Sequence, residues 1–272
     1  MEFYGLLGEK LGYSISPQIH SKIFSQLKVE AAYKIFEVPK EELKYVTQSM
    51  RVLGIKGMNV TIPYKKDIMK YLDSISDEAS KIGAVNTVLL KDGKLEGHNT
   101  DYFGFGKILE RNDIDIEKKI VMVLGTGGAS QAVMAYLLNN NIEKIYLVSR
   151  SKTKKKIYDE NKVEYVTYDE ISNIKGEIII NTTPVGTYPN VDKSPVDKNI
   201  ISNFNVLVDI IYNPSKTKFL KMGEELNKKA CGGLEMLVGQ AIKSEEIWQD
   251  KCAKEDVFNY VYKEISKEFR SI

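Results

Sequence analysis

Short apolar runs alternate with helical patterns along the chain, an arrangement typical of α/β proteins. In the first hundred residues the pattern predicts strands at 2–7, 32–38 and 57–61 and a hairpin at 82–99. A second group of runs predicts strands at 121–124, 144–148, 163–166, 177–181 and 206–209. Two helical patterns, 234–248 and 254–269, end the chain. We therefore predict two α/β domains, each with its own sheet.

The apolar run at 121–124 leads directly into a glycine-rich turn, after which a helical pattern begins. Gly125, Gly127 and Gly128 permit conformations and close approaches that a Cβ would block. The helix that opens at Ala129 would direct free N–H groups and the positive end of its dipole at the turn, which suits a phosphate. Because Ser130 stands where the dinucleotide fingerprint has Gly or Ala, the turn alone leaves an ordinary βα connection equally open. The apolar strand that follows about 20 residues later favours dinucleotide binding.

Composition narrows the class of protein without naming its function. The chain has 272 residues, 43% of them hydrophobic and 28% charged, which suits a globular protein of one large or two modest domains. Its net charge of +2 gives no field strong enough to indicate nucleic acid or a membrane surface as a partner. We expect a cytoplasmic protein, since neither a signal-peptide pattern nor an apolar run of ~20 residues is present. Cys231, Cys252 and the two histidines show no metal-ligand spacing, so we predict no metal.

Polar residues follow the predicted strands of the first half, at the edge where open α/β sheets bind ligands. Ser14 and Ser16 lie two apart in an extended segment, so both hydroxyls face one way, and Ser16 is also suited to cap a helix that starts at Pro17. Thr61 and Lys65 end the third strand and begin a proline-started helix. Four residues apart on that helix, they share a face. The alternatives are turn and cap chemistry for the serines and a solvated surface position for Lys65.

Two further polar residues belong to the same half of the chain. Asn86 interrupts an otherwise apolar strand, and a buried amide must find partners in the backbone or in a ligand. Asp101 follows the hairpin at the start of the helical run 102–111, where an N-cap role is equally open.

The segment after the strand at 144–148 indicates which dinucleotide the second half would bind. In NAD sites this strand usually ends near an Asp or Glu that accepts from the ribose 2′-OH. Here it ends in Ser149, Arg150 and Ser151, with Lys154 close behind, and Arg150 is one of only four arginines in the chain. A guanidinium fork with neighbouring hydroxyls suits a 2′-phosphate, so NADP is favoured, although a solvated basic helix start would have the same composition.

Eight short motifs, in this order, resemble those of the shikimate dehydrogenase family over nearly the whole chain. They are 14–17 (SISP), 59–65 (NVTIPYK), 83–87 (GAVNT), 99–101 (NTD), 125–130 (GTGGAS), 181–186 (NTTPVG), 209–214 (DIIYNP) and 233–240 (GLEMLVGQ). One departure is Ser149, which stands where the family commonly has Asn before its Arg.

The resemblance implies a reversible, NADP-dependent reduction of 3-dehydroshikimate to shikimate in the pathway to aromatic amino acids. It also implies that the last helices return to the first domain. The expected division is a substrate-binding domain of residues 1–101 plus 236–272, with a mainly parallel sheet, and a Rossmann-like NADP-binding domain of residues 102–235.

The resemblance assigns roles to individual residues as well. Lys65 and Asp101 form the catalytic pair. Substrate contacts come from Ser14, Ser16, Thr61, Asn86, Tyr212 and Gln240. Cofactor contacts come from Gly125, Gly127, Gly128, Ala129, Ser149, Arg150, Ser151, Lys154, Thr182, Thr183, Pro184 and Gly233.

Two other functions share these motifs. One is a quinate/shikimate dehydrogenase that also uses NAD, and the other is a non-catalytic regulator that binds quinate or shikimate. The presence of both Lys65 and Asp101 argues against the regulator. We expect a small-molecule substrate, no nucleic-acid or membrane partner, and a monomer or homodimer.

Overall fold

The computed structural model describes residues 1–12, 14–151 and 158–269. Its strands are β1 Glu2–Gly8, β2 Ala31–Glu37, β3 Ile55–Val60, β4 Ser74–Ile75, β5 Thr87–Lys91, β6 Lys94–His98, β7 Ile120–Leu124, β8 Lys144–Ser149, β9 Val163–Thr167, β10 Ile178–Asn181, β11 Val206–Asp209 and β12 Lys229–Cys231. Its α-helices are α1 Ser16–Leu27, α2 Leu43–Leu53, α3 Asp77–Ile82, α4 Asp101–Arg111, α5 Gly128–Asn139, α6 Lys198–Ser202, α7 Lys218–Glu225, α8 Leu234–Gln249 and α9 Glu255–Phe269. Within the described ranges, no helix combines the length and the apolar character that a membrane span requires.

The chain divides into two compact units. The first consists of Met1–Gly104 and Val238–Ile265, and the second of Phe105–Leu237 and the residues from Ser266 onward. The domain limits expected from the sequence, 1–101 plus 236–272 against 102–235, stay a prediction.

The first unit contains a mixed six-stranded sheet in the order β2-β1-β3-β5-β6-β4. Strand β1 pairs in parallel with β2 and β3, whereas β5 is antiparallel to both β3 and β6. Leu7 of β1 packs in one apolar cluster with Met50 of α2. Tyr4 of the same strand packs in a different cluster with Phe24 of α1 and Trp248 of α8. The sheet therefore buries both faces, and α8 supplies part of one cover.

The second unit contains a six-stranded parallel sheet in the order β12-β11-β10-β7-β8-β9. Its central strand β7 is buried on both faces. Val121 and Val123 belong to one core cluster, and Met122 and Leu124 belong to another, as the alternation of side chains along a strand requires. Continuous apolar runs are typical of such doubly covered parallel strands, which is why the pattern predicted them. The α/β class expected from the sequence is confirmed.

Three local predictions were wrong. Ser16 is not the helix cap, because Ile15 before it already has helical dihedrals (φ −82°, ψ −7°) and α1 begins at Ser16 itself. The hairpin does not start at residue 82, because α3 occupies Asp77–Ile82 and ends at Gly83 in the left-handed region (φ 75°). Asn86 consequently precedes β5 instead of interrupting a strand.

A further wrong prediction concerns the segment after Pro63, which does not form the expected α-helix. The carbonyl of Lys65 accepts from Val85 N (2.7 Å). An α-helix would have directed that carbonyl to the N–H four residues later. Met69 N bonds instead to Lys66 O (3.3 Å), and the chain forms a 3₁₀ turn over Asp67–Tyr71. Lys65 is thus anchored by a neighbouring loop of the same unit.

Candidate active site and dinucleotide site

Lys65 and Asp101 form an ion pair in the first unit. Lys65 Nζ lies 2.5 Å from Asp101 Oδ2, and the two side chains are 21% and 14% exposed. The other carboxylate oxygen, Oδ1, accepts from Asn86 Nδ2 (2.9 Å). Both oxygens of Asp101 are therefore engaged, which fixes the carboxylate and, through it, the position of the Lys65 ammonium.

Asn86 has one amide orientation that satisfies its surroundings. Its Oδ1 accepts from the backbone N–H of Thr100 (2.7 Å) and from Thr87 Oγ1 (3.1 Å). Only an oxygen can accept from an N–H, so the amide nitrogen must face Asp101. Asn86 is only 3% exposed. As the sequence predicted, its amide has hydrogen-bond partners, and all of those named here belong to the first unit.

Beneath this array lies a network of buried polar side chains that the sequence did not single out. Asn59 Nδ2 donates to Ser244 Oγ (2.9 Å) and to Thr87 Oγ1 (3.1 Å), and Asn59 Oδ1 accepts from Tyr33 Oη (2.8 Å). Ser244 Oγ lies 3.0 Å from Thr87 Oγ1 and donates to the backbone carbonyl of Gln240 (2.9 Å). The network joins β3, β5 and α8. Its one sequence signal was the spacing of four residues that places Ser244 on the helix face of Gln240.

The predicted substrate residues fall into two units. Thr100 Oγ1 donates to Gln240 Oε1 (3.4 Å), so α8 brings Gln240 to the end of the Asn86 array. Ser14 Oγ donates to Ser16 Oγ (3.2 Å), and Thr61 directly follows β3. Tyr212 belongs to the second unit, after β11. Their roles toward a substrate stay predictions.

The second unit contains a cleft of about 530 Å³ at the carboxyl ends of four adjacent strands, β9, β8, β7 and β10. Its lining includes Gly125, Thr126, Gly127, Ser149, Arg150, Tyr168, Thr182, Thr183, Pro184, Val185, Ser194 and Pro195. Seven of the predicted cofactor residues line this cleft: Gly125, Gly127, Ser149, Arg150, Thr182, Thr183 and Pro184. Thr126, Tyr168, Val185, Ser194 and Pro195 were not predicted, because nothing in the sequence distinguishes these positions from ordinary loop residues.

The glycine turn fits a pyrophosphate. Gly125 has φ 101°, and a Cβ there would lie 2.8 Å from Thr183 Cγ2, so neither the conformation nor the space permits a side chain. Around the Cβ position of Gly127, no described atom lies within 4 Å apart from those of Gly127 and its two chain neighbours. Gly127 precedes α5, whose start at Gly128 and Ala129 has no side-chain cap from the described chain. The first N–H groups of α5 can therefore serve an anion in this open space.

The remaining predicted cofactor residues are placed differently. Gly233 is required by packing, because a Cβ there would lie 2.1 Å from Ile210 O. Ser151 is exposed, and its backbone carbonyl accepts from Ser149 Oγ. Lys154 lies outside the described residues. Whether these three contact a cofactor stays a prediction.

The buried carboxylate of Asp209 stabilises the loop 181–185 through Asn181. Asp209 accepts from Asn181 Nδ2 (3.1 Å) and Thr217 Oγ1 (2.7 Å), while Asn181 Oδ1 accepts from Thr183 N (3.0 Å) and Thr183 Oγ1 (2.7 Å). Burial raises the pKa of Asp209 to about 6, against the lowering effect of its hydrogen-bond donors. The shape of the loop is therefore built into the unit through Asn181 and Asp209, which sequence reasoning did not assign to the site.

Comparison with known proteins yields one family. Residues 6–88 match the family described as "Shikimate dehydrogenase substrate binding domain". A shikimate dehydrogenase (NADP(+)) of Clostridium beijerinckii is 58% identical over 270 residues, which cover 99% of this chain and 100% of that protein. The crystal structure of shikimate dehydrogenase 1 from Peptoclostridium difficile is 51% identical, with a TM-score of 0.90 and 99% of each chain covered.

A third relative was solved with a cofactor. It is a shikimate dehydrogenase in complex with NADP+, 35% identical, with a TM-score of 0.85 and coverage of 97% of this chain and 95% of that one. These similarities extend over both units, and the identity is well above the level at which only the fold is shared. The chain therefore belongs to the shikimate dehydrogenase family.

Proposed function

We propose that this chain catalyses the reversible NADPH-dependent reduction of 3-dehydroshikimate to shikimate, a step of aromatic amino acid biosynthesis. Family membership supports the reaction and the cofactor. Within the structure, the proposal depends most on the Lys65–Asp101 pair, in which an ammonium is held at 2.5 Å by a carboxylate that is itself fixed by Asn86. A proton donor of this kind is what the reduction of a ketone requires.

The chemistry assigns the proton steps to Lys65. NADPH, when bound, supplies the hydride that adds to the ketone carbon. The carbonyl oxygen then needs a proton, which Lys65 Nζ donates, leaving a neutral amine. Because Lys65 is 21% exposed, solvent can return the proton to the amine. In the reverse direction the amine of Lys65 accepts the hydroxyl proton, and Asp101 stabilises the ammonium that forms.

Hydroxyl and amide side chains are proposed to hold the substrate. Ser14, Ser16 and Tyr212 would bind its carboxylate. Thr61, Asn86 and Gln240 would bind its ring hydroxyls. Support for the second group comes from two contacts: Asn86 donates to Asp101, and Gln240 accepts from Thr100, the residue before Asp101. A site built for hydroxyls should reject analogues that lack one, because its buried polar groups would stay unpaired.

An absorbance assay at the nicotinamide band tests the function. We expect shikimate with NADP+ to give NADPH, with a higher kcat/KM than shikimate with NAD+. Equal efficiency with quinate and NAD+ would instead favour the quinate/shikimate dehydrogenase. If calorimetry showed that shikimate binds, but the assay showed no turnover with either NADP+ or NAD+, the non-catalytic regulator would be favoured.

Arg150 is expected to set the preference for NADP. Arg150 lines the cleft where the 2′-substituent of the ribose is expected. Charge-assisted hydrogen bonds to phosphate contribute ~1.5–3 kcal/mol, or about 10- to 150-fold in affinity. Arg150→Ala should therefore raise KM for NADP+ by about that factor and leave KM for NAD+ nearly unchanged. Arg150→Lys, which keeps the charge but loses the planar fork, should show a smaller effect on KM for NADP+. An equal rise for both cofactors in the alanine variant would refute this role.

We also propose that the enzyme acts in the cytoplasm as a monomer or homodimer and has no nucleic-acid or membrane partner. The net charge of +2 supports the expectation of no nucleic-acid or membrane partner.

A further inference from the structure

Two parallel strands of the second unit end side by side at the cleft. Strands β8 and β9 are in register, with Ser149 paired to Thr167. The residues that follow this last pair, Arg150 and Tyr168, both line the cleft. In dinucleotide-binding sheets the end of the second strand faces the 2′-position of the adenosine ribose. Tyr168 follows β9 as Arg150 follows β8, so Tyr168 is expected at the same subsite as Arg150.

The backbone at Tyr168 is held by its own turn. Glu170 Oε2 accepts from Thr167 N (2.8 Å) and from Thr167 Oγ1 (2.9 Å), and Glu170 N donates to Thr167 O (3.0 Å). These three bonds close the turn around Tyr168. Glu170 Oε2 therefore stabilises the turn by accepting both hydrogen bonds from Thr167. The position of Tyr168 is thus fixed before any ligand binds.

The phenol of Tyr168 is half-buried and lies within the electrostatic reach of Arg150. Its ring packs against the apolar cluster that includes Val148 and Val166. Burial raises the pKa of the Tyr168 phenol, and the positive charge of Arg150 opposes that rise. A protonated phenol is a hydrogen-bond donor, and an anion bound by the Arg150 guanidinium would lie close to it.

We propose that Tyr168 is a specificity-determining residue for NADP, whose phenolic hydroxyl donates a hydrogen bond to the 2′-phosphate that Arg150 binds. The inference rests on the proposed function, because it assumes an NADP cofactor in this cleft. It adds the neutral donor of Tyr168, directly after β9, to the basic Arg150, directly after β8, and to the hydroxyl of Ser149 at the end of β8.

Calorimetric titration of the full chain with adenosine 2′,5′-bisphosphate and with adenosine 5′-monophosphate tests this assignment without turnover. The two probes differ only in the 2′-phosphate. In Tyr168→Phe, which removes one hydroxyl and keeps the ring, we expect the Kd of the bisphosphate to rise at least about tenfold and that of the monophosphate to stay unchanged. The matched control is Tyr146→Phe, which removes a hydroxyl from the middle of β8 and should change neither Kd.

The other outcomes overturn the proposal in distinguishable ways. If Tyr168→Phe bound both probes with wild-type affinity, the Tyr168 hydroxyl would make no hydrogen bond to the nucleotide. An equal loss for both probes would mean that the hydroxyl contacts a part of the nucleotide that both probes share, and not the 2′-phosphate. If the wild-type chain bound both probes equally, the NADP assignment would fail together with this one, whereas a preference for the bisphosphate that Tyr168→Phe retains would overturn the Tyr168 role alone.

Discussion

Replacing Lys65 by alanine is expected to lower kcat by ~10²–10⁴-fold, with a much smaller change in shikimate binding. The reason is that the ammonium held 2.5 Å from Asp101 is proposed to supply the proton in the reduction, whereas other residues are proposed to bind the ring hydroxyls and the carboxylate of the substrate. Steady-state kinetics in both directions would give kcat, and calorimetry with shikimate would give the affinity separately. Circular dichroism would check that the variant is folded.

Lys66 is the matched control for this experiment. It is adjacent in sequence and has the same side chain, but it is exposed, whereas Lys65 is mostly covered. We expect Lys66→Ala to keep kcat within about twofold, since surface substitutions away from a site change little. Comparable losses in both variants would reject Lys65 as the acid and base.

The sequence predicted Lys65 as a candidate, and one of the reasons for that prediction is not supported by the structure. A helical spacing placed Thr61 and Lys65 on one face, yet the segment is a turn in which Val85 N binds the carbonyl of Lys65 (2.7 Å). A bond between residues 20 apart leaves no trace in local periodicity. The family motif therefore carried the assignment, and the physical account of the position came from the loop that follows α3.

The second unit was easier to predict, because its central strands are buried on both faces and give continuous apolar runs. The same reasoning explains why Tyr168 was missed. A tyrosine that follows a strand has the composition of an ordinary core position, and only the pairing of Ser149 with Thr167 places it beside Arg150. Strand register within a parallel sheet depends on contacts between distant segments, so no short window of sequence reports it.

The buried polar network next to Asp101 also depends on contacts between segments that are far apart in the sequence. Ser244 contacts Thr87 across 157 positions of sequence and Asn59 across 185. Each of these residues is an ordinary polar side chain on its own. Their burial becomes favourable only when α8 brings the partners together, since an unpaired polar group in this environment costs ~1–3 kcal/mol. The return of the chain to the first unit thus adds to the packing of that unit and supplies partners for the polar side chains next to the Lys65–Asp101 pair.

Trp248 is expected to carry most of the contact between α8 and the first sheet. Its ring stacks on Tyr4 with centroids 4.8 Å apart, its Nε1 donates to Val88 O (3.0 Å), and it covers Gly57 so closely that a Cβ there would lie 2.3 Å from Nε1. Trp248→Ala should therefore lower the free energy of unfolding of the first unit by ~3–5 kcal/mol. Urea unfolding followed by circular dichroism would measure it, because this is the single tryptophan of the chain and its fluorescence is lost.

Trp248→Phe separates the two contributions of the side chain. It keeps an aromatic ring against Tyr4 but removes the N–H that Val88 O accepts, so a loss of ~1–3 kcal/mol is expected, below that of the alanine variant. Because Ser244 and Gln240 lie on the same helix, the alanine variant should also bind shikimate more weakly at urea concentrations at which it is still folded. A loss of less than ~1 kcal/mol in Trp248→Ala would show that the sheet of the first unit is stable without this cover.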